Sequence, residues 1–172
     1  MESLQTLFDI LPQVGRLEWI GLRPERMADL QSVSEAVVIA ARGLHGDHNV
    51  TGRAGSKRQV TLIQYEHLLA VAGLLHRERV PPDVVRRNLV VSGINLLALK
   101  GKSFRVGEVL LEFSGPCEPC SRMEWVLGPG GFNAMRGHGG ITAKVIEGGT
   151  IRVGDDVRIE TSTAQQNASQ VL

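Results

Sequence analysis

A mainly β fold, a closed or partly closed mixed β-barrel with two or three inserted helices, is what this sequence predicts. Three observations lead there. Glycine is abundant (20 of 172 residues) and clusters where the chain should turn, and it is the residue that turns and close backbone approaches accept most readily. Short apolar runs that read as strands recur along the chain, about seven in number,. Their irregular order, with helical stretches between them and glycine-rich joints, suits a barrel. Aromatic residues make up only 4% of the chain, so the core is expected to be aliphatic. The length suits one domain with a sizeable core.

Residues 2–12 suggest a short helix ended by Pro12, with Leu4, Leu7, Phe8 and Leu11 on one face,. Residues 14–24 and 33–40 read as the first two strands. Between 41 and 58 lie 18 residues with four glycines and little apolar content. A long loop of this kind inside a compact domain is usually functional or disordered. Residues 59–63 read as a strand, and 64–76 place Leu68, Val71, Ala72 and Leu75 at helical spacing,. A strand near 88–91 and a helical turn follow. The stretches SFRVGEVLLEFSG and TIRVGDDVRIE share Arg-Val-Gly-acidic at a turn, and both read as strand–turn–strand. Residues 141–160 look like a closing β-meander. The polar tail 161–172 is expected to fray. This divides the chain into a helical extension (1–13), a barrel domain (14–160) and a tail.

A net charge of +1 disfavours bulk nucleic-acid binding or a general role at a membrane surface,. No apolar run approaches the ~20 residues of a membrane span, and residues 1–15 lack the pattern of a secretory signal. The cytoplasm is the expected compartment, where two free thiols stay reduced.

Those thiols are Cys117 and Cys120, in SGPCEPCSRMEW. A structural zinc site would need two more ligands, with His45, His48 and His138 as the candidates. A redox dithiol should open a helix in a parallel βαβ unit, for which residues 114–125 supply only the strand. Two small buried hydrophobes are the plainest reading. What singles out Cys120 is its place before SRMEW, which reads as the first turn of a helix with Arg122 beside the thiol. That is the setting of a nucleophile or soft metal ligand.

Basic residues form three groups: Arg42, Arg53, Lys57 and Arg58 in the long loop; Arg86 and Arg87 with Asn88; and Arg136 with His138. Any one group alone reads as a solvated face. If they converge, they form a pocket for a phosphorylated or otherwise anionic ligand, with arginines as bidentate clamps. The segment 128–140 carries six glycines in 13 residues, read as a flexible loop or a pocket wall in which His138 is a candidate proton donor.

GLHGDH, SKRQVTLIQYE, RRNLVVSGINLLAL, RVGEVLLEFSGPCEPCSRME and MRGHGGITAKVIEGGTIRVGDDV, in that order over residues 14–160, resemble the MOSC domain family, named for the C-terminal region of molybdenum-cofactor sulfurase. The resemblance implies a strand-rich barrel and an essential cysteine. That cysteine either ligates the molybdenum of the pterin cofactor or carries sulfur as a persulfide. It matches Cys120, making Cys120 the catalytic and metal-binding candidate; no role transfers to Cys117. The resemblance sets Arg86, Arg87 and Asn88 beside the cofactor pocket, with Arg53, Lys57 and Arg58 in the basic stretch before the strand at 59–63.

Three readings follow. The first is a molybdenum-cofactor protein supporting reduction of N-hydroxylated compounds, and the second a persulfide carrier working with a desulfurase or cofactor-maturation partner. The third is a zinc-stabilised binding module. The sequence shows neither the N-terminal β-barrel domain of larger family members nor a desulfurase domain. Substrate recognition would then be absent, or come from a second subunit, in a homodimer for example, or from a redox or sulfur-transfer partner.

Overall fold

The computed structural model describes residue 1 and residues 3–161, so the tail at 162–172 lies outside the described residues. In chain order the elements are α1 (Leu4–Phe8), β1 (Gly15–Leu22), β2 (Gln31–Val33), β3 (Glu35–Ile39), β4 (Gly43–Leu44), β5 (Val60–Gln64) and α2 (Tyr65–Leu74). These are followed by β6 (Leu89–Ser92), β7 (Ser103–Val106), β8 (Val109–Pro116), α3 (Ser121–Leu127), α4 (Gly131–Met135), β9 (Ile141–Glu147), β10 (Gly149–Arg152) and β11 (Asp156–Ile159).

Seven strands hydrogen-bond in the order β11-β7-β8-β9-β5-β6-β1, and β1 pairs back onto β11 to close the barrel. Only β5 and β6 run parallel; every other pairing is antiparallel. A small sheet, β10-β3-β4, and the short β2 complete the strands. Alternation along the strands sorts the side chains. Leu62, Leu89 and Val91 enter the barrel core with Leu17, Phe104 and Leu111. Their neighbours Ile63 and Val90 face outward under α2, α3 and α4, packed with Val71, Met123, Leu127 and Met135. Both faces of β5 are covered, so all five of its residues are buried. That is the pattern a parallel pair requires.

The structure corrects four expectations. The N-terminal helix is five residues long and buries none of them, although Ser3 caps it through the Thr6 amide at 3.2 Å; Leu11, beyond its end, makes the contact with the barrel. The stretch 41–58 is not structureless, because β4 pairs with β3 and His48–Thr51 forms a 3₁₀ turn. Residues 141–160 are not a meander: β9, β10 and β11 pair with other strands and not with one another. The chain leaves the barrel at Gly148 and Gly149, where a Cβ on Gly148 would meet the Val38 carbonyl oxygen at 2.5 Å. Finally, a parallel βαβ unit does exist, β5-α2-β6, but the cysteines do not open its helix.

Candidate functional site

Strand β8 ends at Pro116, and the two cysteines that follow part company. Cys117 is 1% exposed. Its amide donates to the Gly140 carbonyl at 2.9 Å, and its own carbonyl accepts Arg87 Nη2 at 3.1 Å. Pro119 carries the chain out to Cys120, which is exposed. Cys120 is the residue preceding α3, with φ −112° and ψ 170°, and its side chain makes no capping bond. Buried Met123 and Leu127 fasten α3 to the outer wall, so an anchored helix presents the free thiol.

Arg86, Arg87 and Asn88 point in three directions. Arg86 has φ +62°, a left-handed conformation costly for a residue with a Cβ,. The twist sends its guanidinium outward to the carbonyls of Ala28 (3.1 Å) and Arg26 (3.2 Å). Arg87 turns inward, is 3% exposed, and donates to the carbonyls of Gly139 (2.8 Å), Val85 (2.7 Å) and Cys117 (3.1 Å). It ties the cysteine segment to the glycine loop. Asn88 is 1% exposed, takes Thr61 N and Oγ1 on its carbonyl oxygen, and donates to Gly21 O (3.2 Å) and Asp47 Oδ2 (2.9 Å).

Asp47 extends this network. Its carboxylate accepts the amides of Arg23 (2.9 Å) and Asn49 (3.0 Å) as well as Asn88. His48 Nδ1 lies 3.1 Å from Arg23 Nε and 3.5 Å from Asp47 Oδ1. Burial, followed by the Arg23 charge, pushes the His48 pKa below the ordinary imidazole value,. A neutral ring cannot form the ion pair with Asp47, so Nδ1 accepts from Arg23 and the proton sits on Nε2.

The cationic side chains crowd together. Burial is the first cause of lowered guanidinium pKa values at Arg23, Arg86 and Arg87. Neighbouring arginines also contribute: Arg58 and Arg122 act on Arg23, Arg122 and Arg23 on Arg86, and Arg58 and Arg23 on Arg87. The cysteines act in the opposite sense, Cys120 on Arg86 and Arg87, Cys117 on Arg23 and Arg87. Arg122 donates through Nη1 to Met27 Sδ at 3.2 Å, while its Nε is buried without a hydrogen-bond partner among the described residues. A clustered set of guanidinium groups with an unmatched N–H is chemically suited to a negative charge.

Of the expected site residues, Cys120, Arg58, Arg86 and Arg87 come together, and Asn88 supports them from beneath. Arg53 and Lys57 are exposed, and their side chains form no hydrogen bond or ion pair among the described residues. Arg136 is exposed, with Nη1 3.5 Å from Asn133 Oδ1. His138 lies elsewhere, its Nδ1 3.1 Å from Ala134 O and its ring edge-on to His67 with centroids 5.1 Å apart. The glycine-rich stretch is not a flexible loop throughout, since α4 interrupts it. Glu124 caps that helix region through the amides of Gly130 (2.8 Å) and Phe132 (2.9 Å), and these bonds lower its pKa. No group of three or more His, Cys, Asp or Glu able to hold a metal ion occurs among the described residues. The zinc reading expected such a group from Cys117, Cys120 and histidines. Sequence reasoning missed Arg23, for which the only signal was an arginine between an apolar strand and Pro24. It also left Asp47 without a role and weighed His48 only as a zinc ligand.

The MOSC domain family model matches residues 47–158. No curated protein matches the chain. Among solved structures, YuaD from Bacillus subtilis is similar with a TM-score of 0.75 at 17% identity, over 90% of this chain and 100% of that one. YiiM from Escherichia coli follows at 0.65 and 22%, over 86% and 71% of the two chains. YiiM from Geobacillus stearothermophilus gives 0.66 and 17%, over 86% and 75%. At these identities the likeness speaks for the fold. Among the described residues no helix is long and apolar enough to cross a membrane.

Proposed function

Because this chain belongs to the MOSC domain family, we propose that it holds the molybdenum-bearing pterin cofactor, with Cys120 as a thiolate ligand. The observation that carries this reading is the pairing of an exposed, uncommitted thiol with a guanidinium cluster in which Arg122 Nε has no partner. The donor set fits the group. A thiolate is a soft ligand of the kind such metals take, and arginines suit the anionic part of a phosphorylated pterin. Arg23, Arg58, Arg86 and Arg122 would hold that anionic part. Arg87 and Asn88 act from behind, keeping the segment after β8 and the turn at Asp47 in register. When bound, the cofactor supplies two-electron reduction of N-hydroxylated compounds, and the protein supplies binding, orientation and electrostatics. Electrons would come from a redox partner protein.

The exposure of Cys120 favours a second reading, in which its sulfur is the cargo. A persulfide there is accessible to a desulfurase or cofactor-maturation partner,. One experiment separates the two. The chain is produced in a host that makes the cofactor, and molybdenum and cyanide-labile sulfur are measured in the parent, Cys120→Ala and Cys117→Ala. The first reading expects stoichiometric molybdenum, lost in Cys120→Ala and retained in Cys117→Ala. Labile sulfur on Cys120 without molybdenum would support the carrier.

A further inference from the structure

Beside the cysteine segment, near the end of β5, lies a cavity of about 320 Å³ whose lining contains none of the arginines. That volume is at the lower end of small-molecule sites. Leu96, Leu97 and Ile141 supply its apolar wall. Two polar side chains from the start of α2 face it, Gln64 as the residue preceding the helix and His67 one turn on. Positions three apart share a helix face.

Both side chains are unmatched. Gln64 is 7% exposed. Its Oε1 accepts the Leu96 amide at 2.9 Å, while Nε2 forms no hydrogen bond among the described residues. His67 Nδ1 is buried with no hydrogen-bond partner among them either. Burial, and next the neighbouring His138, lower the His67 pKa and keep the ring neutral,. Gln64 offers a donor without a partner and His67 a buried ring nitrogen without one, on two side chains that line the same cavity, which points to a ligand that completes both,. Glu118 at the lining adds a carboxylate that repels anions. The cavity therefore differs in preference from the arginine cluster, which attracts them.

The geometry points to a binding site for a small, uncharged, planar amide or lactam. Its carbonyl oxygen takes the Gln64 Nε2–H, its N–H donates to His67 Nδ1, and its ring lies against Leu96, Leu97 and Ile141. The inference does not depend on Cys120 holding molybdenum, because it concerns different side chains and a ligand that needs no cofactor.

Benzamide is a suitable probe, titrated into the full-length chain and followed by amide NMR shifts. Saturable shifts are expected at Gly137, Gly139 and Gly140, and not around Arg86 and Arg122. Gln64→Glu keeps an oxygen for the Leu96 amide but loses the donor. It should weaken benzamide about tenfold, the equivalent of one hydrogen bond, and should favour the benzamidinium cation instead. N,N-dimethylbenzamide, which has no N–H, should bind the unaltered protein about tenfold more weakly than benzamide. This arm holds even if the variant fails to fold. Three results would overturn the assignment: no saturable shift at millimolar benzamide, shifts confined to the arginine cluster, or equal binding of the dimethyl compound.

Discussion

Asn88 Nδ2 donates to Asp47 Oδ2 at 2.9 Å, joining two fully buried polar side chains 41 positions apart. The same asparagine binds Thr61 and Gly21, and the same aspartate binds the Arg23 amide. A single clasp thus holds β1, β5, the approach to β6 and the turn that carries His48. Removing the amide strands a buried carboxylate and several backbone groups, each costing about 1–3 kcal/mol. Asn88→Ala is expected to lower unfolding stability by about 3 kcal/mol, and Asn88→Asp by at least as much because it sets a second carboxylate against the first. Urea unfolding measures both. A loss below about 1 kcal/mol would mean that the clasp is not what holds the turn.

Three neighbouring glycines should respond very differently to alanine. A Cβ at Gly139 would collide with the Cys117 carbonyl, and one at Gly140 with the Leu62 carbonyl; Gly140 also has φ +84°. Gly137, with φ +77°, has nothing within 4 Å of its Cβ position. Gly137→Ala should cost only the left-handed backbone term, about 1–2 kcal/mol. Gly139→Ala and Gly140→Ala must displace a strand end as well, and should cost about 3 kcal/mol or more. Thermal unfolding of the three variants tests this, and equal losses would show a uniformly flexible loop.

Acid should destabilise the fold through two histidines. The pKa values of His48 and His67 are lowered, in each case first by burial. Between the lowered folded value and the unfolded value near 6.5, the unfolded chain binds more protons, so stability falls as pH drops through that window. His48→Asn keeps an acceptor for Arg23 Nε but cannot titrate, and His67→Gln likewise removes the proton site. Each should flatten the dependence of urea midpoint on pH below about 6.5, and the double variant should flatten it most. An unchanged slope in the double variant would place the acid sensitivity elsewhere.

Most strands and helix α2 were legible in the sequence, as was the place of Cys120 just before a helix. Glycine spacing, aliphatic runs and the helical period at Leu68, Val71 and Ala72 are local signals, and local sterics decide turns, strands and helix faces. Each cysteine follows a proline, so the helix-like SRMEW after Cys120 is what set it apart from Cys117. Pairing is another matter. The shared Arg-Val-Gly-acidic turn makes a β7–β8 hairpin at Gly107 and a crossover from one sheet to another at Gly154. Identical local chemistry is resolved only by which distant strand has an open edge. Arg23 joins the site because Asp47, 24 residues away, fixes its backbone. Arg136 stays out because α4 turns it toward Asn133. Whether a charge is a solvated face or part of an anion site depends on how many like charges the fold brings beside it. That density exists only after the barrel closes.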